Sequence, residues 1–350
     1  MKNLLIILLF AITFTHSYAF VDKQDISLYQ VAKSDIGLKQ ITMEFEVVDT
    51  DETNVFIYVP TFRSKYFEAI AKTEKLLKSS IYNDQKGLKL KKGYRKFDEV
   101  VAKLKAFETL YPMTVNLEKY GESKLANNLY YLKVSNNVHI DNKKPKLLIT
   151  AATHGDELIT TESLLRFLEN FLGSQGIERH QEILNNYQLY FIPVVNPDGF
   201  MRQRRYTADG TDPNRSYPYP LKPNIEPVKC IAEEIAFFHS QNFVGSIDFH
   251  ASGEMIMYPW AYTYDSPIAG DLAKFESIGK KMSVKNGYKI GQISKIIYIA
   301  PASSVDYFYW KNGTISYGIE LAKSKAPSAK KIPKIVNEAS TILYSFILSF

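Results

Sequence analysis

A histidine and a glutamate three residues apart, His154 and Glu157, follow an apolar run at residues 147–153. A neutral imidazole and a carboxylate both suit a catalytic zinc ion, which takes three protein ligands and keeps a fourth position for water. The pair is two-thirds of such a site. Alone it reads more simply as a surface histidine at a strand-to-helix turn, so its weight depends on context. Open α/β sheets build their sites beyond the carboxyl ends of strands, which is where a third ligand belongs. Residues 244–250 end in His250; in an extended strand Ile247 and Phe249 face one way, and Ser246, Asp248 and His250 the other. His139, His180 and His239 sit in polar or helical contexts without a carboxylate three residues on, and are expected at the surface.

A hydrolytic metal site also needs a group that accepts a proton from water. Residues 314–321 offer Glu320: Ile315, Tyr317, Ile319 and Leu321 form a packed face, whereas Ser316, Gly318 and Glu320 form a small, open one. A carboxylate ending an apolar strand is costly to bury, which calls for a salt partner or a functional role. Arg205 and Arg215 bracket a loop of little apolar content. Guanidinium groups bind carboxylates through paired hydrogen bonds and stabilise oxyanions, although a loop arginine is often merely solvated.

These residues need a scaffold. A helix is expected at 97–107, strands at 115–120, 129–134 and from 146, and a helix through Leu158, Leu164, Leu165, Leu168, Phe171 and Leu172. A strand-like run at 189–195 contains Pro193, which is disfavoured in a central strand, and stops at a turn, Asn196 to Gly199. Helical spacing returns at 228–238, and a closing helix starts near residue 332. This alternation predicts an α/β fold with a mixed, mostly parallel central sheet and helices on both faces. Residues 20–92 read as a separate small α+β module, with strands at 41–48 and 55–59, a polar turn at 49–54, and a helix at 65–78. A lysine-rich, protease-accessible linker at 83–93 would join it to a catalytic domain at 93–350.

Lys2, the apolar stretch 4–12 and the small residues Ser17 and Ala19 have the pattern of a secretory signal at 1–19, cut before Phe20. The protein is therefore expected to be secreted or periplasmic, monomeric, and without a transmembrane segment. Its single cysteine, Cys230, excludes an intrachain disulfide and is expected to be a buried thiol, leaving stability to a core supported by 45% hydrophobic residues. The net charge of +6 lies largely in runs at 86–96 and 323–334 with no accompanying nucleic-acid motif, so a nucleic-acid partner is not expected.

In chain order, His154-x-x-Glu157, Asn196-Pro197-Asp198-Gly199, Arg205, Asn214-Arg215, His250 and Glu320 resemble the zinc metallocarboxypeptidase family of the carboxypeptidase A and B type, from near Tyr94 to the C-terminus. Tyr298, Asp306 and Glu320 keep that family's mutual register, and Met257 to Trp260 agrees as well. The resemblance implies one zinc ion (Zn2+) per chain held by His154, Glu157 and His250, with Glu320 as general base and acid. It implies that Arg205 polarises the scissile carbonyl, and that Asn214 and Arg215 clamp a peptide's terminal carboxylate beneath a mobile Tyr298. Val305 falls where members select the terminal side chain, and an apolar residue there favours apolar or aromatic ends. Two departures stand out: Asp156 replaces an arginine of digestive members, and Leu321-Ala322-Lys323 follows the base. They leave open a same-fold peptidase of peptidoglycan stem peptides, an amidohydrolase of acylated amino acids, and, from a different class, an inactive binding module. Residues 20–92 resemble an activation domain in size and position.

Overall fold

The computed structural model describes residues 26–35, 37–38, 41, 46–50, 53–60, 64–71, 76–77, 90–140 and 143–350. The expected signal at 1–19 and most of the expected linker lie outside these residues. The N-terminal part carries β1 (Ile26–Ala32), β2 (Glu46–Thr50), β3 (Asn54–Pro60), α1 (Ser64–Ile70) and β4 (Leu76–Leu77), with the strands in the order β2-β3-β1-β4. The strand expected at 55–59 is β3, but the other two elements expected here differ. Ile41 is helical, and β2 begins at Glu46 and runs into the expected turn. The expected helix 65–78 stops at Ile70, because Leu76 and Leu77 pair with Tyr29 and Leu28 of β1. Pairing with a neighbouring strand overrides local propensity when segments are this short.

The main body is built from α2 (Phe97–Leu110), β5 (Val115–Glu122), β6 (Asn128–Val134), β7 (Lys146–Ala151), α3 (Leu158–Gly173), α4 (Glu178–Asn186) and β8 (Gln188–Ile192). It continues with α5 (Pro197–Met201), α6 (Lys229–Ser240), β9 (Phe243–His250), β10 (Met255–Tyr258), α7 (Ala269–Ser283), β11 (Lys289–Gln292), α8 (Ile293–Ile296), α9 (Ser304–Asn312), β12 (Ile315–Glu320) and α10 (Ile332–Ile347). Its strands form one eight-stranded sheet, β11-β10-β12-β9-β7-β8-β6-β5. β12, β9, β7 and β8 run parallel at its centre, and β6 and β5 add antiparallel strands at one side. Period-two alternation divides the side chains between two cores. Leu147, Ile149, Phe191, Ile247 and Phe249 join the core beneath α3 and α10, and Leu148, Tyr190 and Ile192 join the one beneath α6 and α9; Phe243 joins the latter because a register shift between Lys146 and Leu147 breaks the alternation at the start of β9. The fold is the predicted α/β sheet covered on both faces.

β8 ends at Ile192, just before Pro193, whose nitrogen has no proton to give a ladder. The expected turn after it is the start of α5: the Asn196 side chain accepts a hydrogen bond from the Gly199 amide at 2.9 Å, as an N-cap does. His180 is buried, against expectation. Its Nδ1 lies 2.8 Å from the Ser174 carbonyl and its Nε2 2.7 Å from the Tyr344 hydroxyl, a pairing across 164 residues that helical spacing does not reveal. Cys230 is buried in α6 as expected, and burial pushes its thiol well above the ordinary range.

Parallel neighbours end together, and this places the chemistry. Ala151 of β7 pairs with Phe249 of β9, and His250 pairs with Glu320 of β12. The loop carrying His154 and Glu157 therefore emerges beside His250 and Glu320.

Candidate metal centre

One ligand atom each from His154, Glu157 and His250 can be chosen so that all lie within 4.8 Å of one another, and all three side chains are buried. The two Nδ1 atoms are 3.1 Å apart. Glu157 Oε1 lies 2.9 Å from His154 Nδ1, and Oε2 lies 3.0 Å from His250 Nδ1. Three donors thus converge on one point, and two imidazoles with one carboxylate are a donor set that fits zinc. Burial opposes the charge on Glu157, but His154 and then His250 outweigh it and hold the carboxyl well below the usual range.

The loop takes this course because two glycines let backbones touch. A Cβ on Gly155 would lie 2.1 Å from the carbonyl carbon of Gly199 and 2.6 Å from the Arg204 oxygen. One on Gly199 would meet the Tyr206 oxygen at 2.5 Å. Pressed against α5 in this way, the ligand loop sits next to Arg205, whose carbonyl accepts from the Gly155 amide at 3.4 Å. Arg205 Nε and Nη2 donate to Asp212 Oδ2 at 3.1 and 2.9 Å, and Nη1 is 3.2 Å from His154 Nδ1. Asp212 Oδ1 in turn lies 3.1 Å from His154 Nε2.

Glu320 resolves the question its position raised. Its Oε2 is buried and has no hydrogen-bond partner among the described residues, so no bond to that oxygen accounts for its position. Burial, and after it the Glu157 carboxylate, push Glu320 up to about 8. A cation among the three ligands would draw it back down. Every site residue read from the sequence, namely His154, Glu157, Arg205, Asn214, Arg215, His250, Tyr298, Val305 and Glu320, lines a single cleft. Its remaining wall includes Met255, Met257, Ala261, Ile293, Ile297 and Ala300. Arg215 Nη1 donates to the Asn214 carbonyl at 2.8 Å and Nη2 to the Tyr298 hydroxyl at 3.4 Å. Tyr298 also packs against the core of the N-terminal part, which contains Tyr29, Val31 and Phe67.

Three charged residues escaped the sequence reading as parts of the site. Asp212 and Asp248 each face the outer nitrogen of a metal-side histidine. Lys325 forms an ion pair with Asp156 at 2.8 Å, beside the ligands. Asp248 left a trace, since it shares a strand face with His250. Asp212 lay unremarked between the two arginines.

The sequence profile of a family described as zinc carboxypeptidase matches residues 100–341. A zinc carboxypeptidase of Saccharothrix mutabilis subsp. capreolus is 27% identical over 276 residues, which are 67% of this chain and 63% of that protein. The chain thus spans less than two-thirds of that relative's length. Carboxypeptidase B of Astacus astacus is 24% identical over 269 residues, covering 65% of this chain and 86% of its own. In fold, carboxypeptidase A from Helicoverpa armigera superposes with a TM-score of 0.73 at 17% identity, over 93% of this chain and 98% of that one. Thrombin activatable fibrinolysis inhibitor gives 0.69 at 18% identity over the same shares.

Proposed function

Because the chain belongs to the zinc carboxypeptidase family, we propose that it removes the C-terminal residue of peptides, preferring apolar or aromatic ends, with one zinc ion on His154, Glu157 and His250. One observation carries this reading: three converging metal donors, two arginines and a carboxylate whose buried Oε2 has no partner among the described residues share a cleft whose far wall is apolar. Zinc bound there would supply Lewis acidity and lower the pKa of water in the cleft toward about 7. Glu320 accepts the proton of the attacking water and returns it to the leaving amine. Arg205, fixed by Asp212, presents Nη1 toward the side where the oxyanion develops. Arg215 and Asn214 take the terminal carboxylate, and Tyr298 closes over it. The terminal side chain lies against Val305, Met257, Ile293 and Ala300.

That wall sets selectivity. Among the described residues the acidic side chains lining the cleft are Glu157 and Glu320, both assigned to the reacting end, so a terminal Lys or Arg would bury its charge unpaired. Such burial costs several kcal/mol, which corresponds to roughly 100-fold or more in kcat/KM against basic ends. A panel of peptides differing only in the last residue measures this, and comparable rates for terminal Phe and Lys would contradict the assignment.

The N-terminal part is proposed to be an inhibitory prodomain. The packing of Tyr298 against its core supports this, since that ring stands at the substrate's terminal end. If the mouth is open only a small fraction of the time, apparent affinity falls by that fraction. Tryptic cleavage within 83–93 is therefore expected to raise kcat/KM at least about tenfold. Equal activity before and after cleavage would make the segment a permanent, non-inhibitory domain. Export belongs to the same proposal, supported by the basic, apolar and small-residue order of positions 2–19.

A further inference from the structure

Both imidazoles of the centre turn Nδ1 toward Glu157, so the protein holds each ring through Nε2. His154 is held by the loop carboxylate Asp212. His250 is held from its own strand: Asp248 Oδ2 lies 3.0 Å from its Nε2. Residues two apart on a strand share a face, so β9 itself sets this contact. The Asp248 side chain is only 3% exposed. Three hydroxyls donate to it: Thr150 to Oδ1 at 2.9 Å, Thr153 to the two oxygens at 3.0 and 3.2 Å, and Ser304 to Oδ2 at 2.7 Å. Those hydroxyls come from β7, the ligand loop and the first residue of α9.

We propose that Asp248 is a positioning residue of the metal centre: it accepts the Nε2 proton of His250 and so aims the Nδ1 lone pair at the cation. The inference rests on the zinc reading of the site. An imidazole whose Nδ1 binds a metal keeps its proton on Nε2 and needs an acceptor there. Asn214 is also close, with Nδ2 3.2 Å from that nitrogen. Its amide is oriented by the Ser304 backbone N–H, which donates to Oδ1 at 2.9 Å, so it presents a second donor and cannot accept. Asp248 is the acceptor, and its hydroxyl cradle leaves one site for the histidine.

The test is the zinc dissociation constant, measured on the zinc-free full chain by competition with a chromophoric chelator. Asp248→Ala is expected to weaken zinc binding by about 10–100-fold, the range typical of such outer partners. Asp248→Asn should fall between it and the wild type, because its amide oxygen still accepts the proton. Ser246→Ala serves as a control: it lies on the same strand face and loses a buried hydroxyl pair with Ser316, 2.7 Å long, without touching His250. It should bind zinc like the wild type. Ser304→Ala, which removes one cradle hydroxyl, should weaken zinc severalfold and keeps the question open to test if Asp248→Ala does not fold. Unchanged affinity in the Asp248 and Ser304 variants, or an equal loss in Ser246→Ala, would overturn this inference alone. A wild-type chain that binds no zinc would overturn the metal centre itself.

Discussion

Replacing Glu320 with glutamine is expected to lower kcat by about 10²- to 10⁴-fold, the usual contribution of a general base, while zinc content stays at one per chain. The substitution keeps the shape of the side chain and removes only its ability to take a proton. The carboxylate stands at the end of β12, and among the described residues its buried Oε2 has no partner. Such an arrangement is expensive, and the expense has a measurable sign. Glu320 sits at about 8 in the zinc-free protein against an ordinary 4.5. Its folded-state pKa is raised, so wild-type stability is fully present below about 4.5 and is lost as pH rises through about 8. Glutamine does not titrate. The zinc-free variant should therefore gain stability over the wild type across that window in denaturant unfolding. Retained turnover in Glu320→Gln would remove this residue from the chemistry, whatever its effect on stability.

Replacing Arg215 with alanine should separate substrates by their last atoms. Two charge-assisted hydrogen bonds to a terminal carboxylate, at about 1.5–3 kcal/mol each, correspond to roughly 10²- to 10⁴-fold in kcat/KM. Among the described residues Arg215 bonds to the Asn214 carbonyl and, at 3.4 Å, to the Tyr298 hydroxyl, and its side chain lines the cleft where a ligand would lie. Peptides with a free C-terminus should lose this factor, whereas C-terminally amidated peptides, poor from the outset, should change little. Equal losses on both would place the carboxylate clamp elsewhere.

Much of the site was legible because strand alternation is a rigid rule. Once residues 244–250 and 314–321 are read as strands, His250 and Glu320 must point away from the packed faces, and parallel pairing brings their ends together. The ligand pair at 154 and 157 was legible as residue types, and Gly155 and Gly199 show why its loop has room for nothing larger. Partners that meet only in three dimensions stayed hidden. Asp212 reaches His154 across 58 residues, and Lys325 reaches Asp156 across 169. His180 looked like a surface residue because its own helix is polar, yet Tyr344 of α10 closes over it. In the N-terminal part the strand expected at 55–59 is β3, whereas the one expected at 41–48 lies at Glu46–Thr50 and the helix ends early, since pairing partners decide where such short elements begin and end.

The decisive measurement is to incubate the purified chain, after tryptic release of its N-terminal part, with an unblocked peptide ending in Phe and to read the products by mass. Loss of a single C-terminal residue is expected, abolished by a zinc chelator and restored by stoichiometric zinc. Cleavage that persists in the zinc-free protein, or that proceeds equally on the amidated peptide, would contradict the proposed function.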